Sequence, residues 1–384
     1  ILNDWEVTNR QGAVDETLLV RNVTWRNRGQ QHALEGDIAW GREDIADVFV
    51  SAELRGALWP WTDQEGQVYL RADEQQWSRW IPEDLPRELS LPSLRGSLEG
   101  WLSIDDGDLK SLYVRGEVPE LVLDAPAKQL VLTDGQLEIS GERNDDDWHL
   151  SIRQAFTQNL PLSELRLSSV QLDDQRGWHM GIPEADLQQV SQFILDYNLL
   201  PERFSRYVLN LEPRGQASNV RVSIVPETEL SGERGVDIRA DLSDISTRAF
   251  IGIPEFNGAD GHLHLQPQGG VAHISDPSLS MRLEDIYNPT WDLTDASARF
   301  YWDIKPDFFN LRLEDLDAGL RDARVYGDLA IRIPRRDTNV ENHLALMLGI
   351  EQADIRLQED LVPDMLDPSI NEWLDAGLRY GTAN

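Results

Sequence analysis

The chain runs to 384 residues, a length that would ordinarily hold about two or three domains, and 40% of it is hydrophobic, ample for a sizeable core. Its 68 acidic residues against 35 basic ones give a net charge of -33, which argues against nucleic acid, because phosphate binding needs clustered Lys and Arg, and against an electrostatic grip on anionic lipid headgroups. It has no cysteine, hence neither disulfides nor thiolate metal sites, and no stretch approaches the roughly 18 apolar residues of a membrane-crossing helix.

Alternation of apolar and polar residues runs through almost the whole chain. A period of two sends successive side chains to opposite faces of a strand, and roughly twenty such runs can be counted. The chain opens at Ile1, without a Met or a leader, and reads as an internal fragment of a longer protein. Residues 14–72 read as strands: Leu34, Gly36, Ile38 and Trp40 share one face, and Val48 and Val50 continue it. Over 73–81 the spacing turns helical, with Trp77, Trp80 and Ile81 in one stripe, Asp73 as cap and Pro82 as stop. Residues 89–180 return to strands, with Gly107, Gly135, Gly141 and Gly177 expected at turns.

A second helix is expected near 184–200, where Leu187, Val190, Phe193, Ile194 and Tyr197 form a stripe ended by Pro201. Strands are expected again from Tyr207 to Leu357. A last helix is expected near 367–380, with Asp367 as cap, Pro368 in its first position and Ile370, Trp373, Leu374, Gly377 and Leu378 on one face. No linker and no strict repeat divides the chain, so residues 1–384 read as one continuous β segment with three helical punctuations. The pattern implies mostly antiparallel β structure, with roughly a tenth of residues helical.

Little in the sequence points to catalysis. There is no G-x-S-x-G elbow, P-loop, HExxH or GxGxxG. Asp105-Asp106-Gly107-Asp108 lacks the alternating ligands and distal Glu of a calcium loop, and reads, like Asp145-Asp146-Asp147, as a solvated hairpin turn. His262 and His264 share a strand face, and a turn at Pro267-Gln268-Gly269-Gly270 would set His273 opposite His264, an arrangement that could hold Zn²⁺. Leu263 and Leu265 claim the buried face, however, and no carboxylate stands nearby at ligand spacing, so no metal or other cofactor is assigned. Thirteen tryptophans invite a carbohydrate platform, but Trp40, Trp101, Trp148, Trp302 and Trp373 fall within strand or helix patterns and read as packing residues.

Three stretches carry a resemblance. They are Glu184 through Leu199-Leu200-Pro201 to Leu209-Asn210-Leu211-Glu212-Pro213-Arg214-Gly215; Leu293 to Ile333, with Trp302, Leu311-Arg312-Leu313 and Val325-Tyr326-Gly327-Asp328-Leu329; and Leu361-Val362-Pro363 with Ile370-Asn371-Glu372-Trp373-Leu374 to Gly381. Together with Leu19-Val20-Arg21-Asn22-Val23-Thr24-Trp25, these resemble the YhdP branch of the AsmA-like envelope proteins, with Val362 standing where Leu is expected. The resemblance implies a long curled antiparallel β-sheet forming an elongated hydrophobic groove. It also implies a periplasmic bridge-like carrier of phospholipid between inner and outer membranes, anchored in the inner membrane by a helix absent from this chain. Outer-membrane or periplasmic proteins would be further partners, and no catalytic residue is implied.

On that reading the groove is lined by the apolar faces of the best-marked strands: Leu98, Leu102, Ile104, Leu112, Val114, Val220, Val222, Ile224, Ile238, Phe300, Trp302, Ile304, Val325, Leu329 and Ile331, with Arg221 and Arg299 outward. Alternation alone shows that the apolar face needs cover and not what the cover is. A secreted carbohydrate-binding or carbohydrate-cleaving β protein, and a closed scaffold without ligand, stay open beside the lipid carrier.

Overall fold

Long alternating runs build long strands. In a computed structural model, the chain is described over residues 5–354 apart from 10–15, 42–45, 58–62, 81–89, 126–127, 146, 157–159, 173–174, 201, 226–234, 251–252, 283–288 and 336–340; beyond 354 it is described at 357, 361–362, 369, 372 and 382–383. It divides into two units, Ile1–Met180 and Gly181–Asn384. The strands of the first are β1 (Trp5–Asn9), β2 (Glu16–Arg28), β3 (Gln31–Gly41), β4 (Ala46–Arg55), β5 (Glu65–Gln76), β6 (Ser90–Asp105), β7 (Asp108–Asp124), β8 (Gln129–Asn144), β9 (Asp147–Ala155) and β10 (Glu164–Leu172). Each pairs antiparallel with the next. The strand β11 (Gln175–Asp186) crosses the boundary between the units.

The second unit begins with helices α1 (Leu187–Asp196) and α2 (Glu202–Leu211). There follow β12 (Arg214–Val225), β13 (Gly235–Thr247), β14 (Glu255–Gln266), β15 (Gly269–Arg282), β16 (Trp291–Ile304), β17 (Phe308–Leu320), β18 (Ala323–Pro334) and β19 (His343–Glu351), then the two-residue β20 (Ala353–Asp354) and β21 (Thr382–Ala383). From β12 to β19 the pairing is again antiparallel between successive strands. Mainly antiparallel β structure, as the alternation implies, is what forms. No helix among the described residues is long and apolar enough to cross a membrane.

Tight hairpins join several strands. Asp106 and Gly107 both take positive φ, 51° and 75°, between the paired Asp105 and Asp108, the geometry a two-residue turn requires if its twist is to match the strands. Gly135 and Gly141, expected at turns, lie inside β8 instead. Gly141 faces the side chains of Leu150 and Leu112, so its missing Cβ makes room for neighbours and does not turn the chain.

A second regularity lies across the strands. The pairing slips in mid-strand between Arg21 and Thr24, Ser218 and Arg221, Leu242 and Ile245, Thr294 and Ser297, and Leu313 and Leu316. At each slip an Asn or Asp takes left-handed φ: Asn22, Asn219, Asp244, Asp295 and Asp315, between 44° and 53°. These residue types tolerate that region best after glycine. The extra residue bends the strand and resets its phase, so apolar residues three apart keep one face: Leu313 and Leu316 are both buried, as are Leu293 and Ala296. Neighbouring carboxylates hold the bulges, since the Asp244 N–H donates to Asp260 Oδ1 at 2.7 Å and the Asp315 N–H to Asp328 Oδ1 at 3.0 Å. The bending shows in Phe256 and Phe300. Phe256 pairs with Met281 and Met281 with Trp291, and a straight β16 would carry Phe300 about 30 Å from Trp291. The two Phe rings nevertheless meet edge to face, centroids 5.5 Å apart, so the apolar face of the second unit is concave.

Bulge chemistry yields the first prediction. Asp315→Val is expected to cost about 1–2 kcal/mol, because a β-branched side chain suits left-handed φ poorly, whereas Asp315→Gly should be near neutral. Urea unfolding of the two variants checks this; equal stability would remove Asp315 from any conformational role.

The helices depart from the sequence reading at two places, 73–76 and 202–211. The segment 73–76 belongs to β5, because β6 runs alongside and pairs with Gln75 and Gln76; only Trp77–Trp80 forms a single 3-10 turn, with Trp77 Nε1 donating to the Gly96 carbonyl at 2.7 Å. The expected helix near 184–200 is α1, capped by Asp186, whose side chain accepts from the Gln189 N–H. Residues 202–211, the latter half of which read as strand from Tyr207, form the helix α2. Tyr207 packs edge-on against Phe250 at 5.6 Å, and the Arg248 N–H donates to the Leu211 carbonyl at 2.8 Å, so packing decides a short segment whose pattern fits either state. The expected helix near 367–380 lies almost wholly outside the described residues.

Candidate functional site

Directly opposed residues of an antiparallel pair share a face, so the pairing shows which side chains line up. In the first unit Gly36, Val50, Leu70, Gly100, Val114, Ile139, Ile152 and Leu165 form one row across eight strands. A parallel row holds Ala52, Val68, Leu102, Leu112, Gly141 and Leu150, and another Val48, Ala72, Leu98, Gly116 and Leu137. Ile104 continues β6 on the same face, opposite Gly66. The result is one apolar face running from β3 to β10.

Its reverse side is charged. Arg71, Glu99, Arg115, Glu138, Arg153 and Glu164 make a single row of alternating sign. Arg115 Nε donates to Glu99 at 2.7 Å, and Arg153 reaches Glu138 at 3.8 Å and Glu164 at 3.6 Å. The Arg115 hydrogen bond holds the Glu99 carboxyl below the usual range. Trp101, read from the sequence as a packing residue, belongs to this outer face. It is 39% exposed, because its strand sends Leu102 and Gly100 the other way. Its ring lies between Tyr69 and Tyr113 and beneath the Arg115 guanidinium, 5.3 Å from the ring centroid. A cation already occupies the face a sugar would stack on.

In the second unit the corresponding row is Val222, Ile238, Leu265, Gly270, Trp302, Leu311, Ile331 and Leu344. Beside it run Ala240, Leu263, Ala272, Phe300, Leu313, Leu329 and Leu346. Val220 and Ile224 flank Val222 on its strand, Val325 shares its face with Leu329, and Ile304 pairs with Phe309. Within each unit, therefore, the fifteen residues singled out from the sequence fall on one face.

Cover separates them into two groups. Phe300, Val325, Leu329 and Ile331 are buried in a core with Leu311, Leu313, Leu316, Met281 and Trp291; there the concave sheet fills its own inside. Leu98, Leu102, Ile104, Leu112 and Val114 are only half-buried, as are Val220, Val222, Ile238, Trp302 and Ile304, and Ile224 is 44% exposed. In the first unit the row of Val50, Leu70, Val114, Ile139, Ile152 and Leu165 is half-buried throughout. The sequence list left out Leu70, Ile139, Ile152 and Leu165, which carry the same alternation and could have been found by it.

The histidines sit on the outer face of the second unit, and their pairing differs from expectation. The hairpin loop is only Pro267-Gln268, closed by Gln266 against Gly269, so His273 stands opposite His262 and His264 opposite Val271. Carboxylates absent from the local sequence arrive from β13. His262 Nδ1 donates to Asp241 Oδ1 at 2.7 Å, and His264 Nε2 donates to Asp237. Burial works against the charge of Asp237, but hydrogen bonds from His264 and Gln266 outweigh it and keep its carboxyl low. Asn219 and His262 do the same for Asp241, and Arg324 for Asp317.

These lowered values set a pH dependence. A carboxylate whose folded value is depressed lends stability above its unfolded value, about 3.9, and loses it as pH falls through the folded value. The urea midpoint should therefore drop as pH is taken from 5 toward about 2. Arg324→Gln should flatten part of that fall, and an unchanged slope would remove Asp317 from the account.

The sequence profile of the YhdP protein family matches residues 3–384. The intermembrane phospholipid transporter YhdP of Escherichia coli strain K12 is 20% identical over 383 residues, covering 96% of this chain and 30% of that protein's length. The chain thus spans less than a third of that relative. No solved structure matches. Carried over nearly its whole length by the family profile, the chain belongs to the YhdP family.

Proposed function

We propose that the apolar face of the first unit holds phospholipid acyl chains, as one segment of a bridge-like conduit between the inner and outer membranes of a Gram-negative envelope. The observation that carries the reading is the half-buried row from Val50 to Leu165, apolar across the strands and backed by an ion-paired face. A sheet face of this kind needs cover, and each methylene laid on it contributes about 0.8 kcal/mol. Headgroups would stay in water, which suits a chain of net charge -33. The E. coli relative's name supports phospholipid as cargo. The remainder of the full-length protein would supply the inner-membrane anchor and any contact with outer-membrane or periplasmic proteins. The chain acts as a carrier and not as an enzyme, and it needs no cofactor.

A photo-crosslinking residue at Val114 should capture acyl chains from bound lipid, and one at the adjacent Arg115 should not. Mass spectrometry of lipid extracted from the purified chain supplies the cargo. Equal capture on both faces would end the sided reading, and a chain that carries no lipid would end the carrier reading.

A further inference from the structure

On the face opposite the apolar one, two imidazoles meet. His262 and His273 are directly opposed on β14 and β15, a position that sets Cβ atoms about 5 Å apart. Their rings are nearly parallel, 15° apart in plane and 6.4 Å between centroids. The His262 side chain is 71% exposed, and His273 is exposed as well. Asp241 accepts from His262 Nδ1 at 2.7 Å and is itself held by Asn219 Nδ2 at 2.8 Å. That arrangement fixes the tautomer. In the neutral imidazole Nδ1 is then the donor, and Nε2 is the nitrogen left to accept. A carboxylate behind a histidine is the support that metal-binding imidazoles regularly have, and it raises the basicity of the ligating nitrogen. The neighbouring charge in the row, Arg299 beside His273, is ion-paired with Asp315.

We propose that His262 and His273 form a surface site for a borderline divalent transition metal of the Zn²⁺ class, with Asp241 as the positioning residue and water in the remaining positions. Imidazole nitrogen suits Zn²⁺, Cu²⁺ and Ni²⁺ and suits Mg²⁺ and Ca²⁺ poorly. Tetrahedral Zn²⁺ with bonds of about 2.0–2.1 Å needs nitrogens about 3.3 Å apart. The ring centroids stand 6.4 Å apart, so the bound state needs the exposed His273 ring to turn toward His262 while Asp241 holds the latter in place. The site stands apart from the lipid reading, since it lies on the other face and uses none of the same side chains.

Calorimetric titration of the purified chain with Zn²⁺, in excess Mg²⁺ to occupy the exposed carboxylates, tests the proposal. The expected result is one ion bound per chain. His262→Ala and His273→Ala should each abolish this binding. Asp241→Asn should keep the stoichiometry and weaken affinity about 10- to 100-fold. Far-UV circular dichroism should be unchanged in all three, because the side chains are at the surface. The proposal is overturned if Zn²⁺ does not bind, or if the double His variant binds as the parent does.

Discussion

Phe300→Asp is expected to unfold the second unit. Phe300 is 5% exposed and meets Phe256 edge to face. Loss of a buried Phe ring alone costs about 3–5 kcal/mol, and a carboxylate without a partner in that core adds several more. The sum approaches the whole stability of an ordinary domain, about 5–15 kcal/mol. Loss of the cooperative urea transition, together with the near-UV signal of the tryptophans in this unit, would report it. Phe300→Leu should retain both at reduced stability. A folded Phe300→Asp protein with a near-parental midpoint would mean that this part of the sheet is open and not filled by itself. Ile224→Asp should behave differently. At 44% exposure the new carboxylate would stay wet, so a weak effect on any apolar path is expected there.

Val114→Asp should have the opposite character, with the fold kept and lipid transfer lost. Val114 stands in mid-row between Gly100 and Ile139 and is half-buried. A carboxylate placed there either loses hydration, at several kcal/mol, or draws water onto the face. Either outcome interrupts a continuous apolar surface for acyl chains. The measurement is phospholipid transfer by the full-length protein carrying the change, alongside its accumulation in the envelope. Arg115→Gln, one residue away on the charged face, should transfer normally, because an exposed ion pair contributes little. Transfer at the parental rate with Val114→Asp and Leu102→Asp combined would exclude this face as the path.

Sidedness was legible in the sequence because it is a local property. Period-two alternation in Leu98-Glu99-Gly100-Trp101-Leu102 or Val220-Arg221-Val222 sorts side chains between two faces with no knowledge of the rest of the chain. The pairing confirms the sorting within both units. The bulges were not read from the sequence: Leu313-Glu314-Asp315-Leu316 and Leu242-Ser243-Asp244-Ile245 break the alternation, but their meaning as bends required the partner strands. Register across a hairpin was not legible, since a loop of two residues where four were expected moved His273 from His264 to His262. Tertiary packing also decided the helix α2 and the strand ending of 73–76, where neighbours supplied the hydrogen bonds that settle short ambiguous segments. Above all it decided cover. Val114 and Phe300 sit in the same kind of alternating run, yet the bent sheet of the second unit closes over Phe300 while Val114 stays half-buried. Alternation states that a face must be covered, but the curvature that supplies or withholds the cover is summed over many strands and is written in no single one.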